Sequence, residues 1–472
     1  MIHAWNFNGT NRNLNNNNVN NANQVGAVTN LHNTLMTDEQ VYSTMLRTMR
    51  DARRNKRYGR DCSAFERSWA AGLVRIMRQF RDRTFRVERN YAFLTSVPKW
   101  REIFATSFEG RLADHLLCDT LAPYIEKELH PRTFNNRKGK GAQAAMNQVI
   151  EDIYTASCGY TQPCRVIKWD LKGFFPNMLC SETERRLLAI IDKYADAIAS
   201  EYDAAMPAFL KWLTMVCIHC NPAAHCELRT PRRLWAQHIA PEKSLFSKGE
   251  DVGAPIGRLT SQIGAGLQMN DEVRWLNDEC GILATLFMDD CVMVVPERLH
   301  GYALALLPVL RKRLAAKGIE MNERKFYDQP YQHGLEFLGS HIKPHRIHLN
   351  NGTYSRAVER VKELNAERDK LGDLDKFVAS VNSYTGLLKG RTDFKRLQSI
   401  RDLIDDKWWT MCFWNDKKQC LGYLPDYTIR QRLNNKYHLH LKHNDSRRNQ
   451  QMHGDKYSPV GKAHPRKAAP RH

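Results

Sequence analysis

Gly281–Val295 reads GILATLFMDDCVMVV, and the fold turns on how it is read. An apolar run meets Asp289-Asp290, and a second apolar run follows at once. Two apolar runs parted by a pair of residues predict a β-hairpin with the acids at its turn. Adjacent carboxylates repel, so such a pair between buried strands is costly unless a cation offsets it. A second stretch, Arg165–Met178 (RVIKWDLKGFFPNM), supplies a third acid. Val166, Lys168 and Asp170 alternate there with Ile167, Trp169 and Leu171, so a strand puts Asp170 on one face. If that strand lies beside the hairpin, three carboxylates converge. The result is a hard oxygen site suited to two Mg²⁺ ions and in-line phosphoryl transfer.

In isolation an Asp-Asp pair is an ordinary solvated turn; the order of the motifs around it narrows the reading. Asp170 is followed by Phe174-Phe175, then GAPIGRLTSQ at Gly253–Gln262, FMDD at Phe287–Asp290 and GLEFLGSHI at Gly334–Ile342. This set, within about residues 38–410, resembles the reverse transcriptases, with FMDD in the place of that family's (Y/F)xDD turn. Ile256–Gln262, IGRLTSQ, looks most like the enzymes of diversity-generating retroelements, where other reverse transcriptases more often carry Gln-Gly and Ser-Pro. The resemblance implies an α+β right-hand polymerase. Fingers and palm would occupy 36–350, the palm an antiparallel sheet backed by helices, and a helical thumb 351–415. The implied reaction is RNA-templated addition of dNMP to a 3′-hydroxyl, error-prone opposite template adenine. Asp170 and Asp289 would bind both metals, Asp290 would support them, and Leu171 joins the metal set. Two Mg²⁺ ions are the expected cofactor, with Mn²⁺ as a substitute.

A triphosphate also needs cations to hold it opposite the metals. Phe93–Glu109 (FLTSVPKWREIFATSFE) looks like the fingers hairpin of that family, and Lys99 and Arg101, two apart on a strand, would share a face. Phe175, five residues after Asp170, matches the family's aromatic under the incoming sugar, where a ring clashes with a 2′-hydroxyl; alone it would be read as core. Gln262 at a helix start is placed to face the templating base pair. Ile256 stands where much of the family has a polar residue, and the resemblance ties it to loosened fidelity. Arg311–Lys325 predicts a helix, a stop at Gly318 and a strand, with Lys325 in the place of the family's lysine near the leaving pyrophosphate. Asn135–Gly141, NNRKGKG, is a Gly-rich basic loop whose amides, with Arg137, Lys138 and Lys140, suit the phosphates of a primer or template. Gly334–Ile342 resembles the primer-grip hairpin, with Phe337 and Leu338 packing inward and Gly339 against nucleic acid.

Elsewhere the signals are coarser. Thr37 and Gln40 form a capping box for a helix carrying Val41, Met45, Leu46 and Met49, which ends in a basic run at residues 53–57. A second helix is expected over Phe65–Phe80. Residues 180–250 form an insertion with helical periodicity. In it, Cys217, Cys220, His225 and Cys226 could be read as zinc ligands, although adjacent His225-Cys226 is poor spacing. Related retroelement enzymes show a similar Asn-Pro…Cys…Leu-Trp…Lys-Ser-Leu pattern, matched by Asn221, Cys226, Leu234-Trp235 and Lys243-Ser244-Leu245. Val381–Leu388 matches the family's thumb, and Lys376, Lys389, Arg391 and Lys395 nearby suit the minor groove of an RNA–DNA hybrid.

With 71 Lys and Arg against 51 Asp and Glu, the 472-residue chain carries a formal charge of +20, which points to a polyanionic partner, here a template RNA with its primer or cDNA. There is no apolar run long enough to span a membrane and no signal pattern, so a cytoplasmic protein, bacterial or phage-encoded, is expected, with its scattered cysteines as free thiols. Residues 1–35 are asparagine-dominated and expected to be a disordered arm; 416–472 is expected to be a basic tail. Trp5–Val28 resembles the Asn-rich variable ends of proteins diversified by these retroelements, so its DNA is expected to belong to a template repeat. The resemblance further implies a small helical accessory protein. The alternatives are an antiviral-defence or retron-like reverse transcriptase and a non-catalytic RNA-binding scaffold.

Overall fold

The computed structural model describes residues 38–54, 56, 59–96, 99–366 and 371–425. The Asn-rich arm, the Thr37 cap and the chain beyond 425 lie outside the described residues. The protein is mixed α+β. In chain order it runs α1 (Asp38–Ala52), α2 (Arg60–Arg67), α3 (Trp69–Arg81), β1 (Asn90–Thr95), β2 (Arg101–Thr106), α4 (Phe108–Glu128), α5 (Ala142–Ala156), β3 (Cys164–Asp170), α6 (Phe174–Asn177), α7 (Cys180–Lys193), α8 (Ala195–Glu201), α9 (Met206–Ile218), β4 (Cys226–Leu228), α10 (Arg232–His238) and α11 (Leu259–Arg274). It continues with β5 (Leu283–Phe287), β6 (Asp290–Pro296), α12 (His300–Ala315), β7 (Tyr327–Pro330), β8 (Leu335–Phe337), β9 (Ser340–Lys343), β10 (Arg346–Leu349), α13 (Asn351–Ala366), α14 (Leu371–Leu388), α15 (Phe394–Asp402), α16 (Asp406–Trp409), β11 (Cys412–Asn415) and β12 (Cys420–Tyr423). A four-stranded sheet has the order β5-β6-β3-β7. No helix among the described residues is long and apolar enough to cross a membrane.

The chain divides into two compact units, each built from several stretches of sequence. The first comprises Met1–Gly141, Trp169–Cys291 and Leu304–Phe326. Its core is helical: Leu73 and Ile76 of α3, Leu112 and Leu121 of α4, Ile191 of α7 and Leu210 and Leu213 of α9 are fully buried in one cluster. Burying a side chain of this size contributes about 1.5–3 kcal/mol, which is what holds such helices together. The single helix expected over Phe65–Phe80 is two, because Ser68 leaves helical geometry (φ −132°, ψ 35°). Beside this core lies a small sheet of order β2-β1-β4. The stretch 180–250 is therefore not all helix: β4 pairs in parallel with β1, Asn90 opposite Cys226 through Ala92 opposite Leu228. The strand expected after Gly318 is reduced to one bridge, Met321 with Leu171, followed by a 3₁₀ turn at Glu323–Lys325.

The second unit comprises Ala142–Lys168, Val292–Ala303 and Tyr327–His472. Here β7 runs antiparallel to β3, and β8-β9-β10 form a meander. The β8–β9 turn sits at Leu338-Gly339, both with positive φ (49° and 73°). Phe337 packs inward as expected, whereas Leu338 is spent on the turn and is half-exposed. Helices α13–α16 share a core in which the Phe377 ring stacks on Trp408 at 4.1 Å. The boundary expected at 415 falls inside the β11–β12 hairpin. That hairpin belongs to the helical core: Trp414 and Leu421 are buried in it, and Asn382 of α14 pairs both ways with the backbone of Leu421 (2.9 and 2.7 Å).

Candidate active site

All the acids and most of the cations singled out in the sequence lie in the first unit. The apolar run Leu283–Phe287 forms β5, and its start is fixed from the side. Asn277, in the π-turn that ends α11, donates to the Ala284 carbonyl and accepts from the Ala284 amide, both at 3.0 Å. The turn after β5 is Met288-Asp289, one residue earlier than the Asp289-Asp290 pair, and Asp290 opens β6. Met288 has φ 57°, a left-handed conformation that costs a non-glycine residue roughly 1–3 kcal/mol and is found at functional turns. Asp170 ends β3 and is buried; its carbonyl accepts from Asn322 N at 2.8 Å.

The three carboxylates lie close enough to act on one another. Burial pushes the Asp289 carboxyl above its ordinary value, and the charges of Asp290 and Asp170 push it further; Lys325 works against them. Asp170 accepts from Lys325 Nζ at 2.6 Å and from Asn322 Nδ2 at 3.3 Å. The Lys325 side chain is half-exposed, so it can turn to solvent or to a phosphate without burying a bare charge. Burial draws the Lys99 ammonium below its usual value, with Lys325 and Arg101 adding to the effect and Asp289 and Asp170 opposing it. Lys99 and Lys325 thus lie within the field of Asp170 and Asp289, and Arg101 acts on Lys99 as a neighbouring like charge. Lys99 does not share a strand with Arg101 as expected: it lies in the bend before β2, and Arg101 is the first residue of the strand.

As a donor set for Mg²⁺ the acids are chemically suitable: hard oxygens, one of them raised by burial and by its like-charged neighbours, another already holding the Lys325 ammonium. Among the described residues, no three acidic, His or Cys side chains are gathered tightly enough to grip one ion. That holds alike for Asp170, Asp289 and Asp290 and for the residues of the zinc reading, Cys217, Cys220, His225 and Cys226. Cys217 is buried at the end of α9, and Cys220 contacts Arg258. The twelve cysteines are free.

Around the acids, Phe175 lies in the short α6 and is half-exposed, its ring 5.7 Å from the buried Phe174. Its carbonyl accepts from Ala254 N at 2.8 Å, which ties it to the GAPIGRLTSQ loop. Ile256 is half-buried, and its carbonyl accepts from Phe104 N of β2 at 3.0 Å. Gln262 sits in the first turn of α11, half-exposed. In the NNRKGKG loop the structure separates the cations. Arg137 forks onto Glu126 (2.7 and 2.6 Å) and donates to the carbonyls of His130 and Thr133 (both 2.7 Å), with a side chain only 5% exposed. Lys140 donates to the Pro131 carbonyl at 2.7 Å and lies over the Phe134 ring. Both brace the loop; Lys138 is exposed. Gly339 lies in the second unit with the β8–β9 turn, and Leu171 is buried beside the Met321 bridge.

No family model matches the chain, and no curated protein does. Among solved structures, telomerase from Candida albicans in complex with a TWJ fragment of telomeric RNA is 11% identical with a TM-score of 0.39, over 67% of this chain and 55% of that one. Apo telomerase from Candida tropicalis is 11% identical with a TM-score of 0.40, over 68% and 56%. A form of the latter truncated from its C-terminal domain is 12% identical with a TM-score of 0.37, over 56% and 55%. The chain spans about half the length of the structures it matches. Overlap at this level carries no information about chemistry, which rests on the side chains.

Three positioning residues lie inside the motifs already named, but their partners are not written there. Arg258 is buried and forks onto Asp114 of α4, with one N–O distance of 2.9 Å, which fixes the loop between Ile256 and Gln262. Asn135 Nδ2 donates to the Gln262 carbonyl at 3.2 Å. Glu102 accepts three hydrogen bonds inside the β2 face. Each contact spans more than a hundred residues of sequence, so no local pattern reports it.

Proposed function

We propose that this protein is an RNA-directed DNA polymerase with a right-hand fold. The observation that carries the reading is the neighbourhood of Asp170, Asp289 and Asp290 with Lys99 and Lys325. Three acids alone suit many hydrolases; acids with Lys99 and Lys325 beside them suit a triphosphate held for in-line transfer. Asp170, Asp289 and Asp290 would hold two Mg²⁺ ions, with the Leu171 backbone beside them. When bound, the ions supply charge stabilisation at the attacking and leaving oxygens. Lys99 and Arg101 bind the triphosphate and orient it. Lys325, released from Asp170, meets the phosphates. Phe175 closes the space a 2′-hydroxyl needs, and Gln262 with Ile256 borders the nascent base pair. Lys138 and the loop amides at Asn135–Gly141 bind nucleic-acid backbone in the first unit; in the second, Gly339 and the thumb cations are separately given that role.

The motif IGRLTSQ favours the finer reading, a diversity-generating retroelement enzyme making adenine-mutagenised cDNA with a small helical accessory protein. The arm at Trp5–Val28 is then a translated template repeat. Primer extension on an RNA template with dNTPs and Mg²⁺ tests the reaction. No extension by the purified chain, alone or with its RNA and accessory protein, removes the proposal. Errors spread evenly over the four template bases remove only the finer reading.

A further inference from the structure

Strand β2, which follows Lys99 and opens with Arg101, is held by a carboxylate on its buried face. Along β2 the odd residues Arg101, Ile103 and Ala105 lie on the more exposed face, while Glu102, Phe104 and Thr106 are buried. Glu102 is 6% exposed. Its Oε2 accepts from Trp235 Nε1 and from Ser244 Oγ, both at 2.6 Å, and its Oε1 accepts from Leu245 N at 2.8 Å. A buried carboxylate with three donors is a strong, directional anchor, and with any donor removed it is an expensive one to keep.

All three donors come from the segment after the CIHCNPAAHC stretch, and they account for the Leu-Trp and Lys-Ser-Leu pattern noted in the sequence. The same segment holds the hairpin at other points. β4 pairs with β1, and Arg229 N donates to the Ala92 carbonyl at 2.9 Å. Phe246 packs on Phe104 and Trp235 (ring centroids 5.3 and 5.8 Å). On α10, three residues after Trp235, His238 stacks on Trp100 at 3.8 Å. The hairpin's other side meets the GAPIGRLTSQ loop: Phe104 N donates to the Ile256 carbonyl, and a Cβ at Gly257 would come 3.0 Å from the Phe104 carbonyl oxygen. β2 is therefore clamped between the 226–246 segment and the loop carrying Ile256 and Gln262.

We propose that Glu102 is a positioning residue: through Trp235, Ser244 and Leu245 it locks β2 so that Lys99 and Arg101 stand opposite Asp170 and Asp289. Trp235 and the Ser244-Leu245 turn are then working parts of the nucleotide site, while the rest of the 226–246 segment packs around them. This rests on the polymerase reading for its kinetic consequence, but the lock itself is a property of the fold.

The test compares four variants of the full chain: Glu102→Gln, the milder Trp235→Phe and Ser244→Ala, and Ile239→Ala, which loosens the same apolar cluster without touching a Glu102 bond. Melting temperature, amide exchange over 101–106, and KM and kcat for dNTP are measured. Glu102→Gln puts an amide donor against a donor whichever way it turns. It should raise KM for dNTP roughly ten- to a hundredfold with a smaller change in kcat, as displaced substrate-holding groups do. Trp235→Phe and Ser244→Ala should follow in the same direction, and exchange at 101–106 should quicken in all three. Ile239→Ala should melt earlier with KM unchanged. If the three variants at the anchor shift KM no more than Ile239→Ala at equal loss of stability, Glu102 is only core and the proposal falls. If wild type extends no primer, the Proposed function falls instead, and exchange decides this one: unaltered protection of 101–106 in Ser244→Ala and Trp235→Phe overturns it, and quickened exchange upholds the lock.

Discussion

Asp170 accepts from Lys325 and Asn322, whereas Asp289 is pressed by burial and by two like charges. Neutralising each should therefore move stability in opposite directions. Asp170→Asn loses a charge-assisted hydrogen bond and should cost about 1–3 kcal/mol. Asp289→Asn relieves repulsion and should raise the melting temperature at pH 7–8 without added metal. The sign follows from linkage. A carboxyl whose folded pKa is raised binds more protons folded than unfolded between its ordinary 3.8 and the raised value, so stability falls as pH climbs through that window. The gain in Asp289→Asn should thus be full above the raised pKa and vanish below 3.8. Mg²⁺ should raise the wild-type melting temperature and raise it less in Asp289→Asn. Primer extension should drop about a hundredfold or more in both variants; a tenth of wild-type activity surviving in either would remove that acid from the site. Phe175 is also legible at this scale: half-exposed beside a buried Phe174, it has room to face a sugar. Phe175→Ala should admit rNTPs, read as a narrowed dNTP/rNTP ratio in single-turnover assays, and an unmoved ratio would make the ring ordinary packing.

At the scale of elements, what sequence made readable was what is written locally. Alternation gave β3 and two continuous apolar runs gave the β5–β6 hairpin, with its turn within one residue of the acid pair. The misplaced elements depend on contacts distant in sequence. β4 is three residues long and exists because β1 offers it an edge, and the Gly318 strand shrank to the one bridge Leu171 could accept. The boundary expected at 415 parts β11 from β12 because the polar turn between them, Asp416–Gln419, reads like the start of a tail, yet Trp414 and Leu421 complete the helical core and Asn382 pairs with the backbone of Leu421. Ending the chain after residue 411 should therefore destabilise the second unit by about 3–5 kcal/mol, the cost of deleting a buried aromatic, while ending it after 425 should leave that transition in place. Equal unfolding midpoints for the two truncations would show the hairpin to be dispensable. Gly257 is the clearest turn constraint: φ 118° and the nearby Phe104 carbonyl both exclude a Cβ. Gly257→Ala should cost about 1–3 kcal/mol by chemical denaturation and should also raise KM for dNTP, because the strain falls on the contact between the Ile256 loop and β2; a variant as stable as wild type would mean the loop tolerates the side chain.

At the scale of the whole molecule, the count of 71 Lys and Arg overstates the cations available to a polyanion. Many cations are already committed inside the fold: Arg137 to Glu126 and two carbonyls, Arg258 to Asp114, Arg165 to Asp328. Such groups keep their charge but are geometrically spent, so they cannot each displace a counterion from a phosphate. RNA affinity should still fall steeply with salt, by about three to five decades between roughly 50 and 200 mM if about six to ten phosphates are contacted. The structure says which variants should change that slope. Lys138→Ala removes an exposed cation from the NNRKGKG loop and should flatten the log–log slope by about one contact, with melting unchanged. Arg137→Ala removes a brace from the same loop, so it should lower melting by several degrees and weaken binding without that loss of slope. Filter binding over a salt series, with melting curves on the same preparations, separates the two. A slope change for Arg137→Ala and none for Lys138→Ala would reverse the assignment and place the phosphate on the residue that the fold now holds inside.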